Sequence, residues 1–409
     1  MAVMKKTDLS RTLVRKPTAP ERARPSGLAF HGLIEPLIVP EPTGLDFLGV
    51  ASREDADTVW GWMQRQLAPD LVSGLPEIER GGAAALEAQV PELIRRADAA
   101  LKANRPDSRG VRAFIASSSG SGGGGGDVMS VLPSVLNALK YRHYVSQARQ
   151  FGQAANAISE AALVQALSVL PVSDPGPFSV LLYAAAAELH QPARMVQAVI
   201  RIAGAPNEQA IARIGYVPVI DALLIQAFVQ VLALKEAIRD ANVDRMCKAI
   251  DRYHRLARAV TAFIELPRRG RWTHLAGTMT KTMSDLIEPL LHRVAPDVNR
   301  ALRKPRDSSD SIDDLQVQSA TDGCRLLATV RDCRDSLAVN AVCEQAWIQT
   351  GELLEAQIQR MMEQLRASPS DVLMSERIDA AIGMAARRFG TEYAEVLRRA
   401  RETVSRRAG

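Results

Sequence analysis

The chain has 409 residues, of which 47% are hydrophobic, 24% charged and 4% aromatic. This composition is that of a folded protein and excludes wholesale disorder, and the length suffices for about two or three domains. The net charge of +5 is modest but unevenly distributed. Residues 1–26 carry seven basic against two acidic side chains, residues 235–306 sixteen against eight, and residues 307–376 five against thirteen.

The apolar content comes from Ala, Leu, Val and Ile, with few aromatic residues. Such cores suit closely packed helices better than sheets, whose strands favour β-branched and aromatic residues. Prolines and glycines divide most of the sequence into segments of helical periodicity with short connections, and one of the breaks is predicted at Ala295–Pro296. We therefore predict an all-α fold, a multi-helix bundle or irregular helical solenoid in about two to three lobes. We find no fixed repeat period that would indicate a solenoid of regular repeats.

The first 26 residues hold too few apolar side chains to fold alone, so we predict a disordered basic N-terminal arm. Residues 27–116 are predicted to form an extended strap followed by a small helical lobe. The strap is inferred from the prolines at 36, 40 and 42, which oppose helix formation. Two helices are expected in the lobe, one at Ser52–Leu67 that starts with a capping box and one at 83–103.

Residues 117–126 consist of Ser and Gly and are predicted to be a linker. A glycine-rich loop before a helix can bind phosphate through its backbone N–H groups. Here Asp127 follows the run, and the Lys and Ser/Thr of a P-loop are absent. We therefore expect no nucleotide site at this point of the chain.

Residues 127–303 are predicted to form a central helical domain. Within it, the stretch at 217–234 is long and apolar enough to be considered as a membrane span. Asp221, Gln226 and Gln230 interrupt it, and a carboxylate is unfavourable at the centre of a bilayer. We interpret the stretch as the buried central helix of the fold and expect no membrane span.

The most informative stretch begins at Val243, where apolar residues recur at steps of three and four. This spacing predicts one buried face of a helix that ends near Leu266, and Pro267 and Gly270 predict a turn after it. Basic side chains occupy a neighbouring helix face, and more arginines and a tryptophan follow in the turn. The residues that we predict to bind an anion or nucleic acid are Arg245, Lys248, Arg252, Arg255, Arg258, Arg268, Arg269, Arg271 and Trp272.

Two properties of these residue types favour a phosphate backbone as the partner. The arginine fork pairs with phosphate through two parallel hydrogen bonds, and the indole of Trp272 offers a surface on which bases stack. The alternative is an ordinary solvated or internally paired helix face. Exposed helix faces commonly carry charge, and the helix dipole favours arginine near a C-terminus whatever the partner.

Residues 304–314 are predicted to be a second, polar linker, and residues 315–409 a C-terminal helical domain. A break is expected at Ser368–Pro369, with Asp371 capping the next helix, which ends near Gly390. The chain closes on a helix whose last two turns are rich in arginine.

The chain lacks metalloprotease, serine hydrolase, dinucleotide-binding and P-loop motifs, so we expect a non-catalytic protein without cofactor or metal. The residual metal candidates are Asp251 with His254, and Asp285 with Glu288 and His292, whose spacing departs from the Glu-x-x-His motif of di-metal bundles. The four cysteines form no Cys-x-x-Cys pair, which predicts buried, reduced thiols. With no secretory signal pattern, we expect a cytoplasmic protein.

Two functional hypotheses follow. The first is a binding protein whose cationic face meets an anionic polymer, with nucleic acid, including RNA, as the leading candidate and the N-terminal arm adding affinity. The second is a scaffold or secretion-related adaptor in which the basic middle binds an acidic protein surface, including the 307–376 segment of another copy, and so forms homo-oligomers. A helical enzyme with an unrecognised site is a third and more remote class.

Overall fold

A computed structural model of the chain describes residues 29–45, 47–72, 82–103, 128–303, 312–368 and 370–406. The fold is all-α and multi-helical, as the sequence predicts. The predicted N-terminal arm, the linker at 117–126 and residues 304–311 of the polar linker lie outside the described residues. In chain order the helices are α1 (Ala29–Ile34), α2 (Arg53–Trp62), α3 (Pro69–Val72), α4 (Gly82–Ala103), α5 (Val128–Tyr141), α6 (Val145–Ala155), α7 (Glu160–Ser168), α8 (Pro175–Glu188), α9 (Pro192–Ala203), α10 (Glu208–Arg213), α11 (Val217–Arg239), α12 (Val243–Thr261), α13 (Arg271–Leu302), α14 (Asp314–Asp332), α15 (Asn340–Ala367), α16 (Val372–Phe389) and α17 (Thr391–Arg406).

The predicted strap is less extended than its prolines suggested. It contains helix α1 and the two-residue strand β1 (Ile38–Val39), which pairs in parallel with β2 (Ala51–Ser52). The strap packs on its own chain: Phe30 is buried and stacks on Trp60 of α2, with ring centroids 4.8 Å apart. The predicted capping box is confirmed, because the Ser52 hydroxyl accepts the Asp55 backbone N–H while the Asp55 carboxylate accepts that of Ser52.

Helix α11 is the central element of the core and packs against α8, α12 and α13. Almost every residue of its first half is buried, including Asp221. The helix is long and apolar enough to cross a membrane. Its most apolar stretch of 18 residues has a mean hydropathy of 2.1, and 67% of that stretch is buried inside the fold. An apolar helix that is surrounded by other helices is typical of the core of a protein.

Helix α12 ends at Thr261, so the predicted end near Leu266 is wrong by about one turn. The reason is a tertiary contact: the Glu265 backbone N–H donates to the Pro206 carbonyl at 2.7 Å, and Asn207 and Glu265 form a parallel β-bridge. This contact fixes residues 262–266 as a turn beside the α9–α10 connection. The long helix α13 then starts at Arg271.

The predicted break at Ala295–Pro296 is also wrong, because α13 continues through Pro296 to Leu302. Val294 and Val298, on either side, are buried, whereas Pro296 itself is exposed. The proline removes one helix hydrogen bond on the solvent side, and packing of the buried face against α14 and α15 holds the helix together.

The C-terminal helices α14 to α17 pack on one another, and α14 also packs on α12 and α13. Trp347 of α15 lies between two guanidinium groups, Arg331 of α14 at 4.0 Å and Arg388 of α16 at 3.7 Å from its ring centroid. These cation–π contacts tie three helices together. The predicted cap is confirmed, since the Asp371 carboxylate accepts the Met374 backbone N–H, and α16 ends before Gly390.

The buried apolar side chains form one continuous cluster from Phe30 to Ala394. The four cysteines are part of it, as the sequence predicts, and burial raises the pKa of the Cys324 and Cys333 thiols to about 12. The domain boundaries inferred from the sequence stay predictions.

Candidate functional site

Several of the basic side chains predicted to form one face of α12 make contacts within the fold. Arg245, at the start of the helix, donates to the Asp240 carboxylate at 2.6 Å and lies 3.4 Å from the Glu236 carboxylate. Both acids belong to the end of α11. This arginine therefore closes the α11–α12 connection, and its charge is compensated locally.

Arg252 and Arg255 bind backbone carbonyls at the end of α8. Arg252 donates to the carbonyls of Ala186 at 2.7 Å and Ala187 at 3.1 Å, and also to that of Leu189. Arg255 donates to the His190 carbonyl at 3.2 Å and pairs with the Asp251 carboxylate. The last carbonyls of a helix have no partner within the helix, so Arg252 caps α8 from a neighbouring element. Arg255 instead binds the connection that follows α8.

The surroundings of Arg252 also weaken its candidacy as a binding residue. Arg252 is half-buried, whereas Arg255 is exposed, and burial, followed by the repulsion of Arg255, lowers the pKa of the Arg252 guanidinium. Its donors point at carbonyls of the fold. A phosphate could engage Arg252 only by displacing hydrogen bonds that hold α8 and α12 together.

Trp272 is fully buried, with 0% of its surface exposed, so the prediction of an exposed stacking surface at this residue is wrong. Its indole Nε1–H donates to Oδ1 of Asp221 at 2.6 Å. The preceding Arg271 reaches Oδ2 of the same carboxylate at 3.2 Å and lies 3.4 Å from the Glu208 carboxylate. Because α13 starts at Arg271, Trp272 falls in its first turn and faces the core.

The carboxylate of Asp221 explains why a tryptophan occupies this position. Asp221 is only 3% exposed, and burial raises the pKa of its carboxyl group while the hydrogen bond from Trp272 and the charge of Arg271 lower it. A buried carboxylate needs such donors. Arg271 and Trp272 thus anchor the start of α13 on the central helix.

The remaining predicted cations are exposed and available. Lys248, Arg258, Arg268 and Arg269 are solvent-exposed, and none of them forms an ion pair with a residue that the structure describes. Lys248 and Arg258 lie on α12, whereas Arg268 and Arg269 lie in the turn before α13. Four of the nine predicted residues are therefore exposed and form no ion pair with a described residue, and anion binding by the predicted residues stays a prediction.

Arg268 and Arg269 share a shallow, open depression with side chains of α13. We call this surface the basic depression; its lining residues are Arg268, Arg269, Thr273, His274, Gly277, Thr278 and Lys281. Its volume is about 630 Å³. The described residues of the lining include two arginines, a lysine, a histidine and two threonines, and none of them is acidic. The arginines, the lysine and the imidazole can donate hydrogen bonds to an anion, whereas the Thr273 and Thr278 hydroxyls donate to backbone carbonyls of the fold.

The turn that carries the two arginines is held rigidly. The Gly270 backbone N–H donates to the Pro267 carbonyl at 2.9 Å, and the Thr273 hydroxyl donates to the same carbonyl at 2.7 Å. A Cβ atom at position 270 would lie 2.7 Å from the Pro267 ring, so the turn requires glycine there. The cations therefore sit on a defined backbone.

Acidic residues mark the edges of this surface. Glu265 is exposed in the turn, and Asp285 follows Lys281 by one helical turn on α13. Neither forms an ion pair with any residue in the described ranges. In the sequence, the cations of the basic depression thus lie between these two acids, and Lys248 and Arg258 are further exposed cations without an ion pair among the described residues.

Sequence reasoning missed Thr273, His274, Thr278 and Lys281. Helical spacing was the available signal, because positions 274, 278 and 281 are separated by four and three residues and so share one face of α13. The sequence predicted a basic face on α12 and none on α13, and several cations of the α12 face are occupied by contacts within the fold.

A second depression lies at the start of α6. Its polar lining includes Arg142, His143 and Arg149. The two arginines have acidic partners, since Arg142 pairs with Glu87 and Arg149 lies 3.7 Å from Glu188. This surface is therefore nearly charge-compensated, unlike the basic depression.

The two metal candidates lie among other contacts. His254 Nδ1 is 2.8 Å from the Ser336 hydroxyl, and Asp251 pairs with Arg255. His292 Nε2 is 3.7 Å from the Glu288 carboxylate one turn away. Among the described residues, no three His, Cys, Asp or Glu side chains converge on one point.

Comparison of the chain with protein-family models, with curated proteins and with solved structures finds no match. The function has to be argued from the geometry of this chain alone.

Proposed function

We propose that this chain is a non-catalytic binding protein whose basic depression binds an anionic polymer, with nucleic acid as the first candidate. One observation carries the proposal: Arg268, Arg269 and Lys281 converge on an open surface without an acidic residue in its lining. Surface cations in folded proteins are commonly compensated, as Arg245 and Arg271 are here. A compensating phosphate would complete this site.

The chemistry of the depression suits phosphate. Arginine forks donate two parallel hydrogen bonds to phosphate oxygens, and lysine adds a mobile point charge. Phosphate contacts of this kind give affinity and orientation without reading sequence. We therefore expect binding with little sequence preference and a steep dependence on salt.

The test is charge reversal of the depression. The variant Arg268→Glu, Arg269→Glu, Lys281→Glu should bind a fluorescent oligonucleotide at least ~100-fold more weakly, taking about 1 kcal/mol for each cation near an anionic surface. The matched control reverses three exposed cations elsewhere, Lys102, Arg360 and Arg387, which form no ion pair with any described residue. Equal losses in both variants would contradict a localised site.

Gly277 permits a second test that leaves every cation in place. It lies in the depression, and a Cβ atom at this position would meet nothing within 4 Å. Gly277→Glu should weaken binding, because it places a carboxylate among the cations, whereas Gly277→Gln has nearly the same shape without the charge. Reversal of Arg252 or Arg255 is avoided because it would remove contacts that hold the end of α8 and the connection after it.

The scaffold hypothesis retains one supporting observation. The exposed face of α15 carries Glu344, Glu352, Glu355 and Glu363, and none of them forms an ion pair with a residue in the described ranges. A head-to-tail contact between this face and the basic depression of a second copy is the form that self-association would take. Light scattering of nucleic-acid-free protein at low and high salt distinguishes the two functions, since salt-sensitive oligomers without oligonucleotide binding would favour the scaffold.

A further inference from the structure

An exposed aromatic ring lies in the connection between α12 and α13, ahead of the turn that carries the two arginines of the basic depression. Phe263 is 38% exposed and lies five positions before Arg268 in the sequence. The other exposed aromatic rings of the described residues, Tyr144 and Tyr393, lie on other elements. In this connection the exposed aromatic ring is therefore that of Phe263, whereas Trp272 is buried.

The backbone around Phe263 is fixed on both sides. The Ala262 N–H donates to the Arg258 carbonyl at 3.0 Å and the Ile264 N–H to the Val260 carbonyl at 3.1 Å, which continue the helical hydrogen bonding past Thr261. Glu265 is then held by Pro206. Ile264 is buried next to the exposed ring. The ring is therefore presented to solvent from a rigid turn and loses little conformational entropy when a ligand covers it.

We propose that Phe263 stacks on an unpaired base and that the surface accordingly prefers single-stranded to double-stranded nucleic acid. This inference rests on the proposed function, since the cations of the basic depression would supply the phosphate contacts. Every base has a π-face, so stacking on an aromatic side chain adds affinity without selecting a sequence. Arg258, near the end of α12, precedes Phe263 by five positions in the sequence and is a further exposed cation.

The preference for single-stranded nucleic acid follows from the accessibility of the bases. In a duplex the bases are stacked on one another, and an aromatic ring on a protein surface reaches them only if they are unstacked at an energetic cost. In a single strand the bases are free to splay onto a ring while the backbone follows neighbouring cations. The depression is shallow and open, as a surface that follows a flexible strand needs to be.

The test compares a single-stranded oligonucleotide with its duplex by fluorescence anisotropy, using the full chain. Phe263→Ala should weaken single-strand binding by about 5- to 150-fold, the range for loss of one stacked base. Duplex binding should not change. Phe263→Trp should restore the affinity, and Phe263→Leu, which keeps apolar contacts within the turn but has no π-face, should not.

The control is Tyr393→Ala, which removes a ring of nearly equal exposure, 36%, on α17. It should leave both affinities unchanged. The effect of Phe263→Ala should also persist at high salt, because stacking releases no counterions, whereas the effect of reversing Arg268 and Arg269 should shrink.

The outcomes separate the two proposals. Binding that is sensitive to charge reversal but indifferent to Phe263→Ala, or equally weakened for single strand and duplex, overturns the stacking role and leaves the basic depression in place. A wild-type chain that binds neither form overturns both. If Phe263→Ala lowers the unfolding temperature, Phe263→Leu decides between loss of stacking and loss of structure.

Discussion

Replacement of Trp272 by phenylalanine tests whether this residue is part of the structure or part of the binding surface. The indole is fully buried, and its Nε1–H is the donor to Oδ1 of Asp221 at 2.6 Å. Phenylalanine keeps an aromatic ring in the core but has no donor. The variant therefore leaves a buried carboxylate oxygen without its hydrogen bond.

The expected loss of unfolding free energy can be worked out from these contacts. A hydrogen bond to a charged group contributes about 1.5–3 kcal/mol. The smaller ring leaves a cavity that adds about 1 kcal/mol. We expect Trp272→Phe to destabilise the protein by about 2–4 kcal/mol near pH 8. The penalty should shrink at low pH, because a protonated Asp221 accepts a weaker hydrogen bond.

The assay is urea unfolding, with oligonucleotide affinity measured on the same preparations. Trp60→Phe is the matched control: Trp60 is also buried, at 6% exposure, but its Nε1 has no hydrogen-bond partner among the described residues. That variant loses packing against Phe30 without losing a hydrogen bond, so it should be less destabilising than Trp272→Phe. Neither variant should change the affinity of the folded protein for an oligonucleotide.

A Trp272→Phe variant with unaltered stability would refute the anchoring role of the Asp221 hydrogen bond. Normal stability combined with weakened oligonucleotide binding would go further. It would show that the indole is accessible and that the sequence-based interpretation was correct after all.

Two other predictions concern structural residues near the site. Arg252→Met should destabilise the protein by about 1–3 kcal/mol in the same urea assay, because the carbonyls of Ala186 and Ala187 lose their donor. Oligonucleotide affinity should not change. A variant that keeps full stability but binds the oligonucleotide more weakly would place Arg252 on the binding surface. Burial raises the pKa of Asp221, whereas in the unfolded state the pKa is about 3.9. Between these two pKa values, the Asp221 carboxyl is protonated in the folded state and ionised in the unfolded state. This stabilising contribution is full below the unfolded pKa and is lost as the pH rises through the folded pKa. The stability of wild type relative to Asp221→Asn should therefore fall from about pH 4 upward, and a difference that rises with pH would contradict the assignment.

The fold class was accessible from the sequence because it depends on local signals. Ser52 and Asp371 cap helices as their residue types and spacing predict. Apolar residues at steps of three and four identify α12 correctly as a helix. These signals act within a few residues and are not overridden by packing. They are the kind of feature that sequence periodicity reports well.

The errors arose where distant elements decide the local structure. The end of α12 is set by Pro206, which binds the backbone of Glu265, and the persistence of α13 past Pro296 is set by packing on other helices. Neither partner is visible in the local sequence. Propensity is a weak prior wherever tertiary contacts of this kind are made.

The candidate site was only partly predictable for the same reason. Periodicity places Arg252 and Lys248 on related faces of α12, but it does not show that the carbonyl end of α8 lies beside Arg252. Likewise it cannot show that a buried Asp221 binds Trp272. Charge patterns identify which residues are cationic, and only the fold identifies which cations remain without a partner.

The most direct test of the central claim is the salt dependence of oligonucleotide affinity for the wild type and for the variant with Arg268, Arg269 and Lys281 reversed to Glu. Loss of three phosphate contacts should flatten the slope of log affinity against log salt by about 2–3, since each contact contributes about 0.7–0.9. The control with Lys102, Arg360 and Arg387 reversed should keep the wild-type slope. Identical slopes for wild type and the depression variant would contradict the claim that the basic depression binds the phosphate backbone.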